Sequence, residues 1–97
     1  MNNAFRQVYR VDPDVVTRDI LGDLILVPVR RNVADLQSIF RLNETAGSIW
    51  KMLDGRRTLE EIRAGLVEAY AVDEAQVGQD LLETVAKLEK AGVILKA

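Results

Sequence analysis

The spacing of apolar residues changes near Asn43. Before it they come in short runs of strand character, and after it they recur every three or four residues. Residues 15–21 and 24–29 are rich in β-branched and aliphatic side chains, which predicts two strands. The intervening Gly22-Asp23 link puts glycine first, where a type II′ hairpin requires φ > 0. Pro28 cannot donate to a ladder, so the second strand is expected to end or bulge there. After a polar segment at 30–35, residues 36–42 predict a third strand. Leu36, Phe40 and Leu42 then share one face, with Gln37, Ile39 and Arg41 on the other. Residues 1–14 read as an extended arm closed by Asp12-Pro13-Asp14, leaving one domain at 15–97.

Three helices follow. Asn43 is a good N-cap, and Ala46, Ile49, Trp50 and Leu53 recur at helical spacing up to Gly55, the expected stop. Thr58 and Glu61 form a capping box opening a helix that turns Leu59, Ile62, Leu66 and Tyr70 inward. Asp73 caps the third helix, with Gln76 in the capping-box position. Its stripe is Val77, Leu81, Val85 and Leu88, ended by Gly92. Val93-Ile94-Leu95 is expected to dock back on the core. The fold class is α+β, a three-stranded antiparallel sheet followed by three helices, βββααα.

The chain has 97 residues, 48% apolar and 29% charged, enough for one modest core. It contains no cysteine and no histidine, which removes thiolate chemistry, the usual metal ligands and the commonest general base. Residues 1–43 carry six Arg against five Asp, whereas residues 44–97 carry seven basic against ten acidic side chains. An acidic half is a poor surface for nucleic acid. The longest apolar run, 24–29, falls far short of the ~20 residues of a spanning helix. The first residues lack the apolar core of a signal peptide. A soluble cytoplasmic protein with no membrane partner is expected.

The catalytic inventory is thin. Ser38 and Ser48 have no base, and Glu60/Glu61 and Asp73/Glu74 sit at helix N-termini, where capping accounts for them. No calcium loop, glycine-rich phosphate loop or other metal or cofactor motif appears. Arg30-Arg31 and Arg56-Arg57 read as solvated loops, with contact to an acidic peptide or phosphate as the alternative. Trp50 reads as a core anchor.

Two features suggest binding. The third strand is short and suited to a sheet edge, exposing main-chain groups that an extended chain can pair with. The third helix carries more apolar residues than one stripe needs, with Leu82 and Ala86 flanking the core line. Gly78 lies one turn before Leu82, and a glycine inside a helix points to close approach by another backbone or side chain. A helix of the same domain would also satisfy that approach.

The segment from Leu42-Asn43-Glu44-Thr45-Ala46 through Ile49-Trp50 and Leu53-Asp54-Gly55 to Arg57-Thr58-Leu59-Glu60-Glu61-Ile62 resembles the coenzyme PQQ synthesis protein D family. Tyr70, Asp73 and the spacing of Asp80, Leu81, Leu88 and Gly92 are similar too. The resemblance covers roughly residues 15–95. It implies a winged-helix-like fold and the role of a recognition element for ribosomally made, modified peptides. Such a domain binds the leader of a precursor peptide and presents it to a modifying enzyme, often a radical SAM enzyme. It implies a peptide added beside the third strand, at Gln37, Ser38, Ile39, Phe40 and Arg41. It also implies packing on the third helix at Gly78, Leu81, Leu82, Val85 and Ala86.

The competing reading is a winged-helix DNA-binding transcription regulator, with the third helix in the major groove. That helix carries Glu74, Asp80, Glu83 and Glu89 against Lys87 and Lys90, which disfavours it. A catalyst is disfavoured by the missing histidine and cysteine. The exposed edge leaves open a homodimer formed by pairing two copies.

Overall fold

The computed structural model describes residues 3–28 and 40–97. After a 3-10 turn at Asn3–Arg6 come β1 (Val8–Val11), β2 (Val15–Ile20), β3 (Asp23–Pro28) and β4 (Phe40–Leu42). Then follow α1 (Glu44–Met52), β5 (Asp54–Thr58), α2 (Leu59–Tyr70), α3 (Glu74–Ala91) and β6 (Ile94–Lys96). The fold is α+β, with antiparallel sheets and three helices. The described strands form two three-stranded sheets, in the orders β2-β3-β4 and β5-β1-β6.

The single-sheet βββααα layout is therefore corrected. The segment expected as an arm supplies β1, the middle strand of the second sheet. β1 pairs with β6 as Tyr9↔Lys96, Arg10↔Leu95 and Val11↔Ile94, so the docking tail is itself a strand. Its other neighbour, β5, occupies the stretch expected to end the first helix. That helix stops at Met52 with Leu53 as C-cap. Gly55 instead takes φ +80 within β5, where a Cβ would stand 3.3 Å from the Arg10 Cβ. These pairings join distant parts of the chain, so local spacing carries little sign of them.

Elsewhere local rules govern. The β2–β3 hairpin forms with Ile20↔Asp23 as its closing pair. Its turn is thus Leu21-Gly22, one residue earlier than expected, with φ of 52 and 88. Two positive values match a type I′ turn rather than II′. Pro28 is the last residue of β3. The Asn43 side chain accepts from the Ala46 N–H at 2.9 Å. The Thr58–Glu61 capping box is complete. Asp73 accepts from the Gln76 N–H, while the Gln76 side chain donates forward to Asp80 rather than closing a box.

The core lies between the helices and the inner faces of both sheets. Leu26 and Val93 are fully buried, as are Leu81 and Ile62 on the helices. Trp50 is 7% exposed, a core residue as expected, but Tyr70 is 37% exposed rather than turned inward. Helix α1 crosses close to the sheet at Gly47, whose absent Cβ would lie 3.4 Å from Leu24 Cβ. That approach brings the start of α1 beside β4.

Candidate functional site

Among the described residues β4 has one neighbour, β3, through Leu24↔Leu42, Ile25↔Arg41 and Leu26↔Phe40. Its other edge borders a groove of about 610 Å³. Phe40, Arg41 and Leu42 form one side, and Asp80, Glu83, Thr84, Lys87 and Leu88 of α3 form the other. Asn43, Thr45 and Ala46 close the end where α1 begins. The alternation read from the sequence holds in the described part of the strand: Leu42 is buried, Phe40 half-buried and Arg41 exposed.

The walls differ in chemistry. Leu42 and Leu88 are buried, so the floor is apolar. The rim is charged. Arg41 Nε donates to Asp23 Oδ2 at 2.5 Å, holding the guanidinium over β3. Asp80 accepts from Gln76 Nε2 at 3.0 Å, and Glu83 accepts from Gln79 Nε2 at 3.3 Å. Lys87 has no ion-pair partner among the described residues. A smaller hollow of about 170 Å³ continues past Thr45 and Asp80, walled by Leu66, Tyr70, Val72 and Val77. The Tyr70 and Ser48 hydroxyls lie 2.5 Å apart and tie α2 to α1 beside it.

Of the residues expected from the sequence, Phe40 and Arg41 line the groove, while Gln37, Ser38 and Ile39 lie outside the described residues. The helix positions fall elsewhere. Leu81 and Val85 are 0% and 4% exposed and belong to the core. On α3 the core stripe is 77, 81, 85 and 88, so 80, 84 and 87 lie on one flank and 78, 82 and 89 on the other. The first flank faces β4. The second faces the N-terminal segment: a Cβ on Gly78 would meet Phe5 Cζ at 3.2 Å and Arg63 Cδ at 3.3 Å. Further along it, Tyr9 donates to Glu89 at 3.3 Å. Leu82 packs against the core from this side, and Ala86 is exposed. The close approach at Gly78 therefore comes from within the domain.

The surplus apolar residues of α3 mark the opposite flank from the one that lines the groove. The signal of the groove-lining flank was available in the i, i+4, i+7 recurrence of Asp80, Thr84 and Lys87 beside the core stripe.

The perturbed ionisable groups sit away from the groove. Burial, and then the neighbouring Glu89 carboxylate, raise the Tyr9 pKa above its usual value. Backbone N–H bonds from Arg57 and Arg56 lower that of Asp54. Among the described residues no cluster of acidic, histidine or cysteine side chains could hold a metal ion. No described helix is long and apolar enough to cross a membrane.

Comparison with solved structures finds a similar chain, described as TbiB1 in complex with the TbiA(beta) leader peptide. The TM-score is 0.71 at 22% identity, covering 88% of this chain and 93% of that one. At this identity the likeness is one of fold. No curated protein matches the sequence. The family model for coenzyme PQQ synthesis protein D (PqqD) matches residues 23–94, which take in β3, β4, all three helices and the groove between them. This chain therefore belongs to the PqqD family.

Proposed function

We infer that this protein is a non-catalytic adaptor that binds the leader of a ribosomally made precursor peptide and presents it to a modifying enzyme, such as a radical SAM enzyme. One observation carries the reading: the open edge of β4 lines a groove whose other wall is α3. An extended peptide adds to such an edge by main-chain hydrogen bonds and places alternate side chains against the facing helix. Family membership and the fold shared with a chain solved on a leader peptide support the same reading. Gln37, Ser38 and Ile39, which directly precede Phe40 in sequence, are part of the same proposed peptide-binding stretch. The smaller hollow beside Tyr70 is sized for one apolar side chain of the leader. The expected place of action is the cytoplasm.

DNA binding finds no support in α3, where Asp80 and Glu83 flank Thr84 on the accessible face. The test is a titration of the full chain with the leader of a neighbouring precursor, followed by amide NMR. Shifts are expected along β4 and the 80–84–87 flank. Thr84→Arg, which fills the groove, should weaken binding at least tenfold, about 1.4 kcal/mol, whereas Ala86→Asp on the outer side should not. Shifts confined to α2 and the β5-β1-β6 sheet would refute the groove. Tighter binding to duplex DNA than to any leader at physiological salt would refute the adaptor.

A further inference from the structure

The β2–β3 hairpin carries apolar residues that lie outside the core formed by the described residues. Leu24 and Leu26 are buried on the inner face of the sheet. Strand alternation therefore puts Ile25 and Val27 on the outer face, with their cross-strand partners Arg18 and Val16. Ile20 follows on the same face by the period of two. Val16 is 44% exposed, Ile20 47% and Leu21 97%, half of the large apolar residues that the described surface exposes. Leu21 adds a second anomaly. It sits at the hairpin tip with φ +52, a conformation that asparagine or glycine adopts with less strain. A strained, fully exposed leucine contributes nothing visible to folding, and such an outlier points to function.

We propose that this outer face, tipped by Leu21, is the docking surface for the modifying enzyme, which meets it with an apolar patch carrying a carboxylate. The charge pattern selects that occupant. Arg18 stands among these apolar residues with no ion-pair partner among the described residues, so it can receive a partner's carboxylate, whereas Asp23 and Arg41 on the same face already pair with each other. A second copy paired edge to edge in one register is opposed by charge. Pairing two β2 edges in the antiparallel register that sets Val16 against the other copy's Ile20 brings two Arg18 side chains face to face, and like charges so placed are unfavourable. The surface is also continuous with the groove, because Arg41 lines the groove and pairs with Ile25 across the sheet. An enzyme seated on this face holds the β4 edge, and the leader on it, at its own margin. This assignment rests on the adaptor reading.

Calorimetric titrations separate the two. Wild-type protein, Leu21→Asn and Arg18→Glu are each titrated with the leader peptide and with the purified modifying enzyme encoded beside the precursor. Leu21→Asn keeps a residue suited to the turn, and Arg18→Glu alters an exposed side chain, so both variants should fold. Enzyme affinity should fall at least tenfold in each, with leader affinity within twofold of wild type. Failure of the wild type to bind leader would defeat the adaptor reading by itself. Three results would overturn the docking surface. These are enzyme affinity unchanged in both variants, a wild-type dimer in sedimentation that Leu21→Asn dissolves, and binding to phosphatidylglycerol vesicles that Leu21→Asn abolishes while enzyme binding persists.

Discussion

Gly78→Ala tests where α3 is approached closely, and by what. The added Cβ would lie 3.2 Å from Phe5 Cζ and 3.3 Å from Arg63 Cδ, distances at which a neighbour must yield by a few tenths of an ångström. Both neighbours can. Arg63 is a flexible side chain, and Phe5 rides on a single 3-10 turn, only half-buried. The substitution gains about 0.8–1.0 kcal/mol in helix propensity. Against this stands the stacking of Arg63 over the Phe5 ring, 4.2 Å to its centroid, worth about 0.5–1 kcal/mol where exposed. The Arg63 ion pairs, at 3.8 Å to Glu60 and Glu74, reach exposed carboxylates and add little. The two terms nearly cancel, so stability by urea denaturation should stay within about 0.5 kcal/mol of wild type. In a Phe5→Ala background the obstruction is gone and a gain of about 1 kcal/mol should appear, raising the melting temperature by roughly 4–8 °C. Leader affinity should not change in either background. A tenfold loss of affinity with the fold intact would put Gly78 at the binding surface and refute the assignment. So would a destabilisation above about 2 kcal/mol that persists without Phe5.

Two further outcomes follow from burial. Trp50→Ala should cost about 3–5 kcal/mol, comparable to the whole margin of a small domain, and a melt barely shifted from wild type would contradict its place in the core. Tyr9 has its pKa raised above 10.0 by burial and Glu89, so its contribution holds below that value and is lost as pH rises through the raised one. Urea midpoints from about pH 9 to about pH 11 should therefore fall more steeply for wild type than for Tyr9→Phe, and parallel curves would contradict the linkage.

What the sequence revealed, and what it hid, divides by the range of the interactions. The Asn43, Thr58 and Asp73 caps, the α3 stripe and the β2–β3 hairpin all rest on residues within a few positions of one another. The second sheet does not. Its strands are three to five residues long, come from the start, middle and end of the chain, and include the polar run Asp54–Thr58, which has no strand-like alternation. The site divides in the same way. The β4 edge was legible because strand period is local, whereas the flank of α3 that meets it depends on how Phe5 and Tyr9 pack against the other side.

That geometry also decides where the adaptor's selectivity can reside. A main-chain hydrogen bond contributes only about 0.5–1.5 kcal/mol net, whereas a micromolar complex needs about 8.2 kcal/mol, before the further cost of ordering an extended peptide. Pairing along Phe40–Leu42 therefore sets direction and register more than it supplies affinity. If the leader lies in the proposed groove, the remainder comes from its side chains reaching the apolar floor at Leu42 and Leu88 and the hollow beside Tyr70. The rim then discriminates. Lys87, with no ion-pair partner among the described residues, can meet a carboxylate, while Asp80 and Glu83 repel one placed nearby, and charges so arranged govern specificity more than affinity. Reversing Lys87 should therefore change which leader is preferred more than how tightly leaders bind as a class.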